Sequence, residues 1–315
     1  MKKPIVVLTG PTAVGKTELS IQLAKAIGGE IISADSMQVY KHMDVGSAKI
    51  TPEEMDGVRH YLVDELEPFD EFHVVKFQEY AQKYLNEIYA HEKIPIIAGG
   101  TGFYIQALLN DIDFTEQESD SAYRKELEAL AEEHGNQYLH DRLKEVDPES
   151  AEVIHPNNRK RVIRALEFFQ ETGGKISEHN AKEQMRTSPY NFAYFVLNDE
   201  RSHLYKRIDA RVDKMIEDGL EAEVRRLKEM GCTKDMVAMQ GIGYKEMLSY
   251  LDGGYSLEEA VYIIKRETRH FAKRQITWFK RERDVIWLNK NEFDYKNEAI
   301  LAYMIKILKE KAIIS

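Results

Sequence analysis

Gly10-Pro11-Thr12-Ala13-Val14-Gly15-Lys16-Thr17 is the stretch that decides the fold. It has the form Gly, four residues, Gly-Lys-Thr, which is the pattern of a phosphate-binding loop. Its flanks agree. Residues 4–8 are a short apolar run of strand type, and residues 18–27 set Leu19, Leu23, Ala24 and Ile27 at helical spacing. Strand, glycine loop and helix in that order make a cradle for an anion. Glycines let the backbone curl so that several N–H groups face one point, and the helix start adds its positive dipole end. Lys16 supplies a mobile positive charge, and the Thr17 hydroxyl is suited to a magnesium ion. Residues 10–17 are therefore the diphosphate-binding candidates, with Thr17 as metal ligand. The loop specifies a polyphosphate and leaves open which one.

At 315 residues and 43 % hydrophobic, the chain can bury one large core or two domains. No apolar run approaches the length of a membrane span, and the apolar start is too short for a secretory signal. The single cysteine, Cys232, suits a reducing cytoplasm. The expectation is a cytoplasmic protein with no membrane partner. A net charge of −10 argues against nucleic acid, but the charge is uneven. Residues 265–283 hold eight Lys/Arg against two Glu. Residues 159–164 hold Arg159, Lys160, Arg161 and Arg164 with no acid. An acidic protein with two such stretches can still bind a phosphate backbone.

Residues 30–34 read as a second strand ending in Asp35-Ser36-Met37-Gln38-Val39-Tyr40. In an open parallel sheet, ligands sit beyond the carboxyl ends of strands. Asp35 therefore stands beside the phosphate loop instead of serving only as a turn cap. Residues 44–75 look like a long connection. Aromatic and aliphatic residues at helical spacing over 77–88 read as core. Residues 94–98 form a third strand, ending in Gly99-Gly100-Thr101-Gly102. An ATPase usually carries an Asp at such a strand end to hold magnesium and water. Glycine and a hydroxyl stand here instead, which speaks against simple nucleotide hydrolysis.

Residues 114–189 change character: charged, helical in pattern, with no strand-like run. They read as a helical insertion in a core made of residues 1–113 and 190–315. The expected class is α/β, a P-loop NTPase-like core with a parallel sheet flanked by helices. A strand over 191–197 returns the chain to the sheet. The helix at 201–218 puts Arg207 and Arg211 on one face. Asp209 and Asp213 are their expected surface partners, unless one arginine points into the phosphate site. Gln240-Gly241-Ile242-Gly243-Tyr244 is a glycine-punctuated loop with an aromatic. A long helix over 257–280 carries Lys265, Arg266, Arg269, Lys273 and Arg274, with Phe271 and Trp278 either in the core or stacking on bases. A strand over 285–288 and a helix over 299–308 close the chain.

These motifs, in this order, closely resemble the tRNA dimethylallyltransferases, the isopentenyl-tRNA transferases of bacteria. The matching segments are residues 10–17, 35–40, Gly46-Ser47-Ala48-Lys49, 99–102, His155-Pro156-Asn157, 240–244 and Ala272-Lys273-Arg274-Gln275 with Thr277-Trp278. They span nearly the whole chain. Departures at Val14, Lys41, Ile50 and Phe103 remove no chemical group from the site. The resemblance implies transfer of a dimethylallyl group from dimethylallyl diphosphate to N6 of the adenine 3′ of the anticodon (position 37), in tRNAs reading codons that start with U. Pyrophosphate leaves. It implies Mg2+ as cofactor, Asp35 as general base, and Thr101, Lys16 and Arg207 or Arg211 stabilising the leaving diphosphate. It further implies tRNA contacts at Asp35, Ser36, Met37, Gln38, Thr101, Arg124, Lys160, Arg161, Arg164, Gln240, Gly241, Gly243, Tyr244, Lys273, Arg274 and Arg281. The expected partner is a tRNA anticodon stem-loop, bound by a monomer.

Two other enzymes share the loop. A prenyl transferase acting on AMP or ADP has less need of an insertion or a basic helix. A small-molecule kinase predicts ATP turnover, against which the Gly-Thr strand end speaks. A non-catalytic RNA-binding protein leaves the complete phosphate loop unexplained.

Overall fold

The computed structural model describes residues 2–112, 122–184 and 187–315. The loop-bearing unit opens with β1 (Lys3–Thr9), α1 (Lys16–Ile27), β2 (Gly29–Ala34), α2 (Pro52–Met55), β3 (His60–Tyr61), α3 (Val74–Ala90), β4 (Ile94–Gly99) and α4 (Gly102–Leu109). A helical unit follows: α5 (Ala122–His134), α6 (Asn136–Val146), α7 (Pro148–Val153), α8 (Arg159–Thr172) and α9 (Ile176–Gln184). The first unit resumes with β5 (Tyr190–Asn198), α10 (Arg201–Glu217), α11 (Leu220–Glu229), α12 (Tyr244–Leu251), α13 (Leu257–Phe279), β6 (Val285–Asn289) and α14 (Asn297–Glu310). The two compact units are Met1–Leu109 with Pro189–Ser315, and Asn110–Ser188. The insertion start expected at residue 114 lies outside the described residues.

The six strands form one sheet in the order β3-β2-β4-β1-β5-β6, and every pairing is parallel. β1 is central, so both its faces are covered and its sequence is continuously apolar. Ile5 and Val7 enter one core with Phe77, Tyr104 and Tyr244. Val6 and Leu8 enter the other with Leu19, Leu23 and Ile208. Full burial of each such aliphatic side chain contributes about 1.5–3 kcal/mol.

Parallel strands place all carboxyl ends on one edge. There the phosphate loop follows β1, Asp35 follows β2, and Gly100-Thr101 follows β4. β2 and β4 close in register, Ala34 opposite Gly99. A Cβ on Gly99 would lie 2.3 Å from the Ala34 carbonyl oxygen, so only glycine allows the two strand ends to approach this closely. The Thr9 hydroxyl donates to the Gly99 carbonyl at 2.7 Å, fixing β1 against β4.

The long connection over 44–75 proves structured. It contains α2 and the two-residue edge strand β3, so the strand at 94–99 is fourth in chain order. β3 is too short for any periodicity to register. The helices α4, α11 and α12 also lie outside the sequence expectations. α4 is only eight residues and apolar on most of its faces, while α11 does carry Leu220, Val224 and Leu227 at helical spacing, over only ten residues.

The helical unit has a core of its own, built on Leu127, Leu139, Leu143, Val162, Ile163 and Leu166. Asp147, fully buried, ties α7 to α9. It accepts from the backbone N–H and hydroxyl of Ser150 at 3.1 and 2.7 Å, and from those of Ser177 at 3.0 and 2.6 Å.

Candidate active site

Lys16 is folded into its own loop. Its ammonium donates to the carbonyls of Gly10 at 3.0 Å and Pro11 at 2.8 Å. Burial pushes its pKa down to about 8, Arg211 adds to that depression, and Asp35 opposes it. Asp35 is thus within electrostatic reach of Lys16, as its position after β2 predicts. One carboxylate oxygen of Asp35 accepts the N–H groups of Met37 at 2.8 Å and Gln38 at 3.3 Å. That local turn fixes the orientation of the carboxylate through one of its oxygens. Thr101 stands at the neighbouring strand end, its N–H donating to the Ala34 carbonyl at 3.1 Å. Base candidate and hydroxyl donor are therefore positioned by the same pair of strands.

The arginines do not pair with the aspartates of their own helix. Arg207 donates through Nε to the Ala13 carbonyl at 2.8 Å, and Arg211 through Nη1 to the Thr12 hydroxyl at 3.4 Å. Burial lowers the Arg211 pKa, and Asp35 acts against that. Asp209 instead pairs with Arg269 at 2.7 Å and Asp213 with Lys265 at 2.5 Å, both on α13. The expected pairing within α10 is corrected: one face of α10 turns two cations to the phosphate loop, and the next face turns two acids to α13.

This divides α13 in two. Its first half is neutralised, since Arg266 also meets Glu267 at 2.9 Å. In its second half Lys273 and Arg274 are exposed and form no ion pair among the described residues, and the same holds for Arg281 beyond it. With His270, Thr277 and Trp278 they line an open groove of about 460 Å³. The Trp278 ring meets Phe103 edge-on at 6.1 Å, and the Arg274 guanidinium lies 5.8 Å from the Phe271 ring centroid. Phe271 is exposed and Trp278 half-buried. The groove thus offers cations beside aromatic faces, the composition that single-stranded nucleic acid uses.

Among the expected tRNA contacts, Tyr244 has its side chain inside the protein. It is 0 % exposed, and its hydroxyl donates to Glu223 at 2.8 Å. The same buried carboxylate accepts the N–H groups of Asp44 and Val45 at 2.8 Å and of Gly46 at 3.0 Å. A Cβ on Gly46 would meet the Tyr244 ring at 2.6 Å. The segments around 46 and 244 thus pack together, with the Tyr244 side chain inside the framework of the loop. Gln240 donates to the Lys234 carbonyl, Gln38 to the Ala48 carbonyl at 3.2 Å, and Met37 packs against Gly241. Ser36 and Gly243 lie in these same two turns. Lys49 is also framework: buried, it pairs with Asp44 at 2.6 Å and Asp64 at 2.5 Å.

In the helical unit, Lys160 and Arg161 are exposed at the start of α8. Arg124 is committed to the buried Glu167 at 2.9 Å, and Arg164 is half-buried, its pKa lowered by burial.

Two residues were not legible as site residues. Gln275 is buried on α13 and joins Thr12 to Gly100. Lys290 follows β6 and reaches the Val14 carbonyl at 3.4 Å. The signal for Lys290 existed, because it follows a strand of the parallel sheet as Asp35 does.

No group of three or more His, Cys, Asp and Glu side chains suited to a metal occurs among the described residues. Thr17 at the start of α1 is exposed, and its hydroxyl is of the oxygen type that would hold a magnesium ion. Among the described residues no helix is long and apolar enough to cross a membrane.

A family profile described as IPP transferase matches residues 38–282. The chain is 64 % identical over 313 residues to a tRNA dimethylallyltransferase of Lachnoclostridium phytofermentans, covering 99 % of each. The full-length tRNA isopentenylpyrophosphate transferase of Bacillus halodurans superposes with a TM-score of 0.74 at 45 % identity, over 99 % of this chain and 98 % of that one. A eukaryotic dimethylallyltransferase acting on tRNA gives a TM-score of 0.79 at 32 % identity, over 91 % of this chain and 74 % of that one.

Proposed function

The chain belongs to the IPP transferase family, and from that membership we propose that it transfers a dimethylallyl group from dimethylallyl diphosphate to tRNA. The acceptor is N6 of the adenine 3′ of the anticodon, at position 37, in tRNAs reading codons that start with U. The observation that carries this reading is the paired ends of β2 and β4. Asp35 and Thr101 follow these two adjacent strand ends on the edge that carries the phosphate loop, where a hydrolase would need an acid on β4.

N6 of adenine attacks the first carbon of the dimethylallyl group as that carbon's bond to the diphosphate oxygen breaks. The lone pair of N6 is delocalised into the ring, so N6 is a weak nucleophile. Asp35 accepts its proton as the new bond forms, a contribution of about 10²–10⁴-fold. Thr101 donates a hydrogen bond to the leaving oxygen. Lys16 leaves the carbonyls of Gly10 and Pro11 and, with Arg211, takes up the developing negative charge. Thr17 would hold a magnesium ion, which would supply charge neutralisation at the diphosphate. Chemistry at N6 needs the base out of its stack, and an anticodon loop presents it so. Lys273, Arg274 and Arg281 hold the RNA strand, and Lys160 and Arg161 on the helical unit add phosphate contacts. The protein acts as a monomer in the cytoplasm, where its substrates are and where a buried free Cys232 is stable.

Radiolabelled dimethylallyl diphosphate offered in parallel to an unmodified anticodon stem-loop, AMP and water tests the proposal. Label in the stem-loop alone is expected. Label in AMP moves the protein to nucleotide prenylation, and no transfer in any arm refutes the transferase reading.

A further inference from the structure

Lys290 is the first residue after β6, on the sheet edge that also carries the phosphate loop, Asp35 and Thr101. A lysine in that place is unusual in being 8 % exposed. Among the described residues its ammonium makes one weak hydrogen bond, to the Val14 carbonyl at 3.4 Å, at the long limit of such a bond. Among the described residues it forms no ion pair. The nearby acid Asp199 is taken, its two oxygens accepting from the Glu200 N–H at 2.8 Å and meeting the His203 ring at 2.7 Å. A buried ammonium without a counterion is costly and persists where an anion completes it.

The phosphate loop shows where that anion belongs. The point one Cβ bond out from Gly15 lies 3.5 Å from Lys290 Nζ and 3.7 Å from Arg207 Nη2. Two cations from two different elements, β6's end and α10, converge there on the loop. Arg207 keeps its Nε on the Ala13 carbonyl, which leaves Nη2 directed at the same point. Like charges held this close repel, and burial together with Arg207 pushes the Lys290 pKa down while Asp199 and Glu18 pull it up. A bound phosphate relieves both the repulsion and the missing partner. Gly15, at φ 103°, has no side chain to occupy the space.

We propose that Lys290, together with Arg207, binds a phosphate group of the donor diphosphate and of the pyrophosphate product, as a second cation pair beside Lys16 and Arg211. This rests on the transferase reading and adds a donor-binding residue to it. Removing Lys290 should weaken diphosphate binding and leave the tRNA groove on α13 untouched.

The test is titration calorimetry of wild type, K290M and K290R with magnesium pyrophosphate, alongside steady-state kinetics with dimethylallyl diphosphate. K290M is expected to raise the pyrophosphate Kd and the donor KM about tenfold, the worth of one charge-assisted hydrogen bond. K290R should recover most of that loss. Stem-loop affinity should be unchanged and thermal stability equal to or above wild type, because an unpaired buried charge has gone. An unchanged pyrophosphate Kd in K290M, with wild-type binding intact, overturns this proposal alone. A matched loss of stability and stem-loop binding in K290M, with no recovery in K290R, also overturns it by making Lys290 structural. Wild type that binds no pyrophosphate overturns the transferase reading as well. If K290M does not fold, K290Q carries the same comparison.

Discussion

Gln275 accepts the Thr12 N–H at 2.8 Å, bonding α13 to the phosphate loop across 263 residues of sequence. The other end of the same amide donates to the Gly100 carbonyl at 2.9 Å. A Cβ on Gly100 would lie 2.3 Å from that nitrogen, so the fit is tight. One buried side chain thus sets the spacing between the loop proposed to hold diphosphate and the turn that carries Thr101. Its helix neighbours Lys273, Arg274 and Trp278 line the groove. Gln275→Ala should lower kcat by about 10–100-fold, because a displacement near 1 Å is worth that much when two reactants must align. Stem-loop affinity should fall less than about threefold. Single-turnover transfer and stem-loop binding, measured on one preparation, separate the two. Equal losses would reduce Gln275 to a fold residue.

Asp35→Asn is the sharpest test of the base. An asparagine oxygen can still accept the N–H groups of Met37 and Gln38, so the turn survives while the proton acceptor is lost. Turnover should drop by about 10²–10⁴-fold with donor and stem-loop affinities nearly intact. A loss confined to binding would remove Asp35 from the chemistry.

Lys16 makes donor binding depend on pH in the alkaline range. Its pKa in the free protein is lowered to about 8, mainly by burial. A diphosphate favours the protonated form, so it binds well below that value. Above it, binding must first restore a proton, and the donor KM should climb by up to about tenfold per pH unit. A plot of log KM against pH should break near 8 in wild type. The break should be absent in Lys16→Arg, whose side chain does not titrate there. The same break in the arginine variant would assign it to another group.

The two halves of α13 should behave differently toward salt. Lys265 and Arg269 are already paired with Asp213 and Asp209, so replacing either with alanine should leave the salt dependence of stem-loop binding unchanged. Lys273, Arg274 and Arg281 form no ion pair among the described residues. Each replacement should weaken binding and flatten the slope of log K against log salt by about 0.7 for a single-stranded contact. Equal effects from both halves would mean that the α10 pairs open when RNA binds.

How much of this was legible in the sequence follows from distance along the chain. The phosphate loop, Asp35 and Thr101 are each fixed by the strand that precedes them, and a strand is a local pattern. The parallel sheet then brings them together without further information. Arg207 and Arg211 could be placed on one face but not aimed, because the competing partners Lys265 and Arg269 lie over 50 residues away. Tyr244 illustrates what local sequence does not show about burial. A glycine-flanked aromatic reads as a contact residue, and only the tertiary position of Glu223, a charged residue on an amphipathic helix, shows that it is buried. Gln275 stands in a quoted motif, yet nothing local reveals that its amide reaches residues 12 and 100.

Asp147 gives the helical unit its own pH limit. Burial alone would raise its pKa, but the hydrogen bonds from Ser177 and Ser150 hold it below the ordinary 3.8. A folded-state pKa below the unfolded one means that the contribution is present above about pH 4 and fades as pH falls through the folded value. Asp147→Ala removes the cap of α7 and strands the Ser177 and Ser150 donors, at a cost of about 1–3 kcal/mol. Hydrogen exchange should therefore quicken in α7 and α9 while β1 and β4 stay protected. Lowering the pH of wild type below about 4 should reproduce that pattern, and should change the alanine variant little. Uniform acceleration across both units would mean that they unfold together and that Asp147 stabilises the whole chain.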